Sequence, residues 1–151
     1  MIGNANDKLV GTWRLVSASS ALSSGERSTP YGSSPVGLLT YTEDGRVSAM
    51  ISYSDRKRLS AFSAGGVSQQ SLAEQAEAFK TFLAYAGRYT LSGDQVTHHV
   101  EVSSIQNYVD KDLIRTVRFD GDQIILVTPA TVVNGKIQVI ELIWQRLSAR
   151  S

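Results

Sequence analysis

Short glycine turns recur along this chain, each followed by a much longer connection. Glu43-Asp44-Gly45, Ser92-Gly93-Asp94 and Asp120-Gly121-Asp122 each join two runs of alternating apolar and polar residues. Glycine suits such turns because it tolerates positive φ. Eight runs read as strands, over residues 10–18, 37–42, 46–53, 87–92, 95–103, 112–119, 123–129 and 137–147. The tight turns join the second run to the third, the fourth to the fifth and the sixth to the seventh. Between them lie a Ser, Gly and Pro-rich stretch (19–35), a loop followed by a helix (54–86), residues 104–111, and a segment from Pro129 to Lys136.

In an up-and-down sheet, alternate connections fall at the same end. All the tight turns therefore belong at one end and all the long connections at the other. Eight antiparallel strands closed on themselves leave an interior for side chains or one small ligand. The expected fold is mainly β: an eight-stranded antiparallel up-and-down barrel, shut at the turn end and loop-lined at the other. A β-sandwich with a solid core is the competing arrangement. The helix is expected within 68–86, where Leu72, Ala76, Phe79, Phe82 and Leu83 recur at helical spacing. Ser68 or Ser71 would cap it and Gly87 would end it. Its apolar face is expected to pack on the barrel or cover the mouth.

Composition narrows the function classes. A length of 151 residues fits one domain over 1–151. Fifteen basic and 14 acidic residues leave a net charge of +1, too little for a nucleic-acid or membrane-surface field. There is no cysteine, hence no disulfide, thiol nucleophile or thiolate metal site. No secretory leader or membrane-length apolar stretch appears, which points to a cytoplasmic protein. The sequence carries no phosphate-loop, dinucleotide or nucleophile-elbow motif, so no cofactor is expected.

Strand alternation then assigns an interior. In 95–103, Val96, His98, Val100 and Val102 share the apolar face, so His98 points inward and His99 outward. Adjacent histidines on opposite faces cannot chelate one ion, and no metal is expected. In 112–119, Leu113, Arg115, Val117 and Phe119 share the inner face. An inward guanidinium needs a partner, either a ligand anion or an internal acid such as Glu141. Tyr53 and Tyr89 sit on apolar faces and are placed near the mouth. Tyr108 lies in the mouth segment 104–111. Tyr41 is placed toward the closed end in a structural role. These readings make His98 and Arg115 the candidate catalytic pair, with Tyr53, Tyr89, His98, Arg115 and Tyr108 as candidate ligand-binding residues.

Gly11-Thr12-Trp13 and Trp144-Gln145-Arg146 resemble the opening and closing signatures of lipocalins, members of the calycin group of small barrels. The likeness is nearer to the lipocalin-like domain family of small microbial proteins. It is carried by residues 9–15, Gly37–Arg46, Tyr85–Tyr89 and Val96–Ser103, and by Arg115 ahead of Asp120-Gly121-Asp122. The resemblance implies that Arg146 packs across Trp13 at the closed end, with Trp144 beside them as structure. After Ser103 the family often carries a Pro-Asn segment and a glycine, where this chain has Ser104-Ile105-Gln106-Asn107-Tyr108-Val109.

Two functional expectations follow. One is a barrel binding a small hydrophobic or amphipathic molecule with a polar or anionic end. The other is a cofactor-free isomerase, cyclase or dehydratase (a lyase) in the same pocket, acting on a polyketide-like intermediate of natural product biosynthesis. A filled barrel serving as a structural or interaction module is the remaining alternative. Oligomeric state is open, a homodimer among the options.

Overall fold

A computed structural model describes residues 5–59 and 72–148. Its strands are β1 (Gly11–Leu22), β2 (Arg27–Ser28), β3 (Val36–Tyr41), β4 (Arg46–Ser52), β5 (Phe82–Ser92), β6 (Gln95–Ser103), β7 (Asp112–Asp120), β8 (Gln123–Val127), β9 (Thr131–Val133) and β10 (Lys136–Arg146). Two short α-helices, α1 (Ala5–Leu9) and α2 (Leu72–Lys80), and a 3₁₀ turn at Gln106–Tyr108 complete the elements. Pairing runs antiparallel through β1-β3-β4-β5-β6-β7-β8-β10, and β10 returns to β1. The eight-stranded barrel is thus closed, which rules out the sandwich. The short strands β2 and β9 extend β1 and β10 at the open end.

The three glycine turns do lie together. Tyr89 N donates to the Gly45 carbonyl, Val117 N to that of Asp94, and Arg146 N to that of Asp122, so each turn is tied to a neighbouring strand. Helix α1 plugs this end. Leu9 is fully buried, and its carbonyl accepts the Trp13 indole N–H at 3.0 Å. The Arg146 guanidinium lies 4.2 Å from the Trp13 ring centroid and donates to the carbonyls of Val10 and Lys8. A cation over an indole face, itself bonded to the carbonyls at the end of α1, clamps the first strand to the last.

Three details differ from the periodicity, and each has a local cause. The helix is shorter than expected. Phe82 and Leu83 belong to β5, Gly87 lies inside that strand, and Ser68 and Ser71 fall outside the described residues. The expected packing of the helix's apolar face is not seen either: Leu72 is 83% and Phe79 59% exposed. Apolar residues at 79, 82 and 83 fit one helical face, but the last two are the start of a buried strand. Next, β1 carries a bulge between Leu15 and Ser17, after which Ala18 and Ser20 face inward and Ser17 outward. A second bulge opposes Ala86 and Gly87 to Val102 and Val100, skipping Glu101, and turns Val102 outward. Gly87 is required there: a Cβ would stand 2.0 Å from the His99 carbonyl oxygen.

Candidate functional site

Inner-face residues of seven strands and the loop before β3 meet in one cavity. Tyr31, Leu39, Ala49, Ile51, Leu83 and Tyr85 wall one side; His98, Arg115, Leu126, Thr128, Leu142 and Trp144 wall the other. The cavity volume is about 50 Å³, room for about four waters. Below it the barrel is filled by Trp13, Tyr41, Val96 and Ile124, so the closed half is solid core.

His98 faces inward as the alternation of β6 requires, and it is 1% exposed. Both ring nitrogens are engaged. The Tyr41 hydroxyl lies 2.7 Å from Nε2 and the Tyr85 hydroxyl 2.7 Å from Nδ1. Burial lowers the His98 pKa from 6.5 to about 3, with smaller contributions from Arg115 and His99. The imidazole is therefore neutral at physiological pH. Burial likewise raises the Tyr85 phenol to about 12, opposed by Arg115, and raises the Tyr41 phenol well above its usual value. His99, on the outer face, is held by Asp112 at 2.8 Å and Thr90 at 3.0 Å. Among the described residues no group of three His, Cys, Asp or Glu is placed to hold a metal ion.

Arg115 faces the cavity from β7. One guanidinium nitrogen donates to the Ile114 carbonyl at 2.8 Å. No ion pair with an acid forms among the described residues; the internal partner considered from sequence, Glu141, does not supply one. Its positive charge is felt at Tyr31, Tyr41, Tyr85 and His98.

The tyrosines are arranged differently from their expected positions. Tyr89 is at the closed end, not the mouth. Its ring is edge-on to Tyr41 at 4.8 Å and its hydroxyl donates to the Thr42 carbonyl at 2.9 Å. A strand expected to start at Gly87 puts Tyr89 near its beginning, whereas Tyr89 is the eighth residue of eleven. Tyr53 does not border the cavity; its ring packs on Tyr31 at 5.0 Å. Tyr108 stands near this pair: burial raises the phenols of Tyr31, Tyr53 and Tyr85, and Tyr108 adds a smaller push in the same direction. Trp144 also departs from its expected role, since it lines the cavity and its indole N–H has no hydrogen-bond partner among the described residues. Trp13 and Arg146 do form the closed-end clamp.

Tyr85 and Tyr31 were missed from sequence. Tyr85 fell within the supposed helix, and Tyr31 within the loop 19–35. The β4–β5 register, which sets Tyr85 opposite Ala49, carried the signal only once the strand start was known.

A family model described as a lipocalin-like domain matches residues 10–147. No curated protein matches the sequence. Among solved structures, a lipocalin-like protein from Bacteroides uniformis is similar at 15% identity and a TM-score of 0.48, covering 93% of this chain and 99% of that one. A REP1-NXSQ fatty acid transporter is similar at 10% identity and a TM-score of 0.42, covering 95% and 99%. No helix among the described residues is long and apolar enough to cross a membrane.

Proposed function

The chain belongs to the lipocalin-like domain family, and from that premise we propose that its barrel binds one compact small molecule, apolar in body and polar or anionic at one end. One observation carries the reading: Arg115 lines an otherwise largely apolar cavity and has no acid partner among the described residues. A half-buried guanidinium without a counter-charge is costly, and a ligand anion or carbonyl oxygen would relieve it. Leu39, Ile51, Leu83, Leu126 and Leu142 offer the apolar body its contacts. In this reading Arg115 and Tyr85 hold the polar end, and His98 acts through Tyr85. Tyr31 covers the ligand, with Tyr53 and Tyr108 behind it. The cavity volume of about 50 Å³, well below the roughly 300–1,000 Å³ of pockets for drug-sized molecules, calls for a compact ligand.

The hydrogen-bonded run Tyr41–His98–Tyr85 favours a second reading, a cofactor-free isomerase, cyclase or dehydratase. Tyr85 would then give its proton or a hydrogen bond to a developing oxyanion and Arg115 would stabilise the charge.

Native mass spectrometry of the freshly purified protein tests the binding reading. A small adduct is expected in the wild type and none in Ala49→Leu, which fills the cavity from a wall residue. Arg115→Ala should weaken an anionic ligand by about 1.5–3 kcal/mol. An adduct that survives Ala49→Leu unchanged lies elsewhere and refutes the site.

A further inference from the structure

The direction of the hydrogen bonds through His98 follows from counting donors and acceptors. A neutral imidazole has one N–H and one lone pair, so it donates to one tyrosine oxygen and accepts from the other tyrosine. If Nε2 carried the proton, the Tyr41 hydroxyl hydrogen would need another acceptor. Tyr41 is 1% exposed, and its hydroxyl has no other partner among the described residues. If Nδ1 carries the proton, Tyr41 donates to Nε2, Nδ1–H donates to the Tyr85 oxygen, and the hydrogen left over belongs to Tyr85. Tyr85 borders the cavity, where a ligand can accept it. The second arrangement leaves over only the Tyr85 hydrogen, which borders the cavity and not the solid core.

Two further groups lining the cavity can only donate. Arg115 keeps guanidinium N–H groups beyond the one given to Ile114. Trp144, 2% exposed, has an indole N–H with no partner among the described residues. The Thr128 oxygen already accepts from Ile140 N at 2.9 Å. The Thr128 hydroxyl hydrogen is left to donate, and the Tyr31 hydroxyl can turn either way.

We propose that the cavity is an acceptor-selective site, in which Tyr85, Arg115 and Trp144 present donors to one ligand oxygen-bearing end, and that its ligand is an oxyanion such as a carboxylate, enolate or phenolate. This rests on the ligand-binding reading and names its chemical class. His98 is a positioning residue: as the Nδ1–H tautomer it turns the Tyr85 hydroxyl outward into the cavity. The depressed basicity of the buried imidazole agrees with a ring that stays neutral and keeps one tautomer.

Three single-ring probes of matched shape test this: benzoate, nitrobenzene and benzamidine. Their end groups are an anionic acceptor, a neutral acceptor and a cationic donor. Calorimetric titration should show benzoate binding at least about tenfold tighter than nitrobenzene, and benzamidine not binding. Tyr85→Phe should cost benzoate about tenfold and nitrobenzene much less. Long-range ¹H–¹⁵N spectra of the unliganded protein should show His98 protonated on Nδ1. Equal affinity for benzoate and nitrobenzene overturns the acceptor selectivity while leaving the ligand-binding reading intact. No binding by any probe overturns both. An Nε2–H tautomer overturns the assignment of Tyr85 as donor.

Discussion

Mild acid should destabilise this protein through one side chain. His98 titrates near 6.5 in the unfolded chain and near 3 in the folded barrel, chiefly because burial penalises its charged form. Between those values the unfolded state binds a proton that the native state refuses. Stability is thus full above about 6.5 and falls as pH is lowered toward 3, by about 1.4 kcal/mol per pH unit. From pH 7 to pH 5 the loss from His98 alone is about 2 kcal/mol, a large part of the 5–15 kcal/mol typical of a domain. Urea unfolding followed by tryptophan fluorescence at half-unit pH steps measures it. The control is His98→Gln, which does not titrate yet can accept from Tyr41 and donate to Tyr85. Other titrating groups are common to both proteins, so the difference between the two slopes isolates His98. The wild type should lose about 2 kcal/mol more than His98→Gln between pH 7 and 5. Parallel slopes would refute the buried, neutral imidazole, and with it the reasoning that gives Tyr85 its donor role.

The remaining predictions concern how the barrel is closed. Arg146→Met should cost about 2–3 kcal/mol in chemical denaturation, from the lost stacking on Trp13 and the lost bonds to the Lys8 and Val10 carbonyls. An unchanged midpoint would show that α1 plugs the end without the clamp. Gly87→Ala should cost about 3 kcal/mol or more, because the new methyl meets the His99 carbonyl and β5 must part from β6. Gly93→Ala, at φ +59° with open space around it, should cost only about 1 kcal/mol. Thermal melts of the two variants side by side check both, and equal shifts would contradict the close approach at the bulge.

How far the site was legible depended on where the strand phase was unbroken. The regular alternation in β6 up to Val100 and throughout β7 placed His98 and Arg115 on the inner wall from sequence alone. Phase failed where a bulge inserted a residue, as at Val102, or where one apolar pattern served two elements, as at Phe82 and Leu83. Tyr85, the residue that links His98 to the cavity, was lost in that second ambiguity. Tyr31 had no periodicity to read, since its place depends on a loop pinned to the end of β4 by the Ser54 N–H to Tyr31 carbonyl bond.

The sequence by itself determined eight up-and-down strands with the tight turns at one end, because glycine turns and connection lengths are local; the β1–β10 pairing decided barrel over sandwich. The turns also placed Trp13 and Arg146 at one end, and the resemblance to lipocalins implied that they meet there. Only the tertiary structure decided what lies inside. Whether His98 has a free nitrogen, whether Arg115 finds an acid, and whether Trp144 is clamp or wall are questions about neighbours far apart in the chain. Those neighbours are set by register across strands, and one skipped residue at a bulge changes which side chains meet.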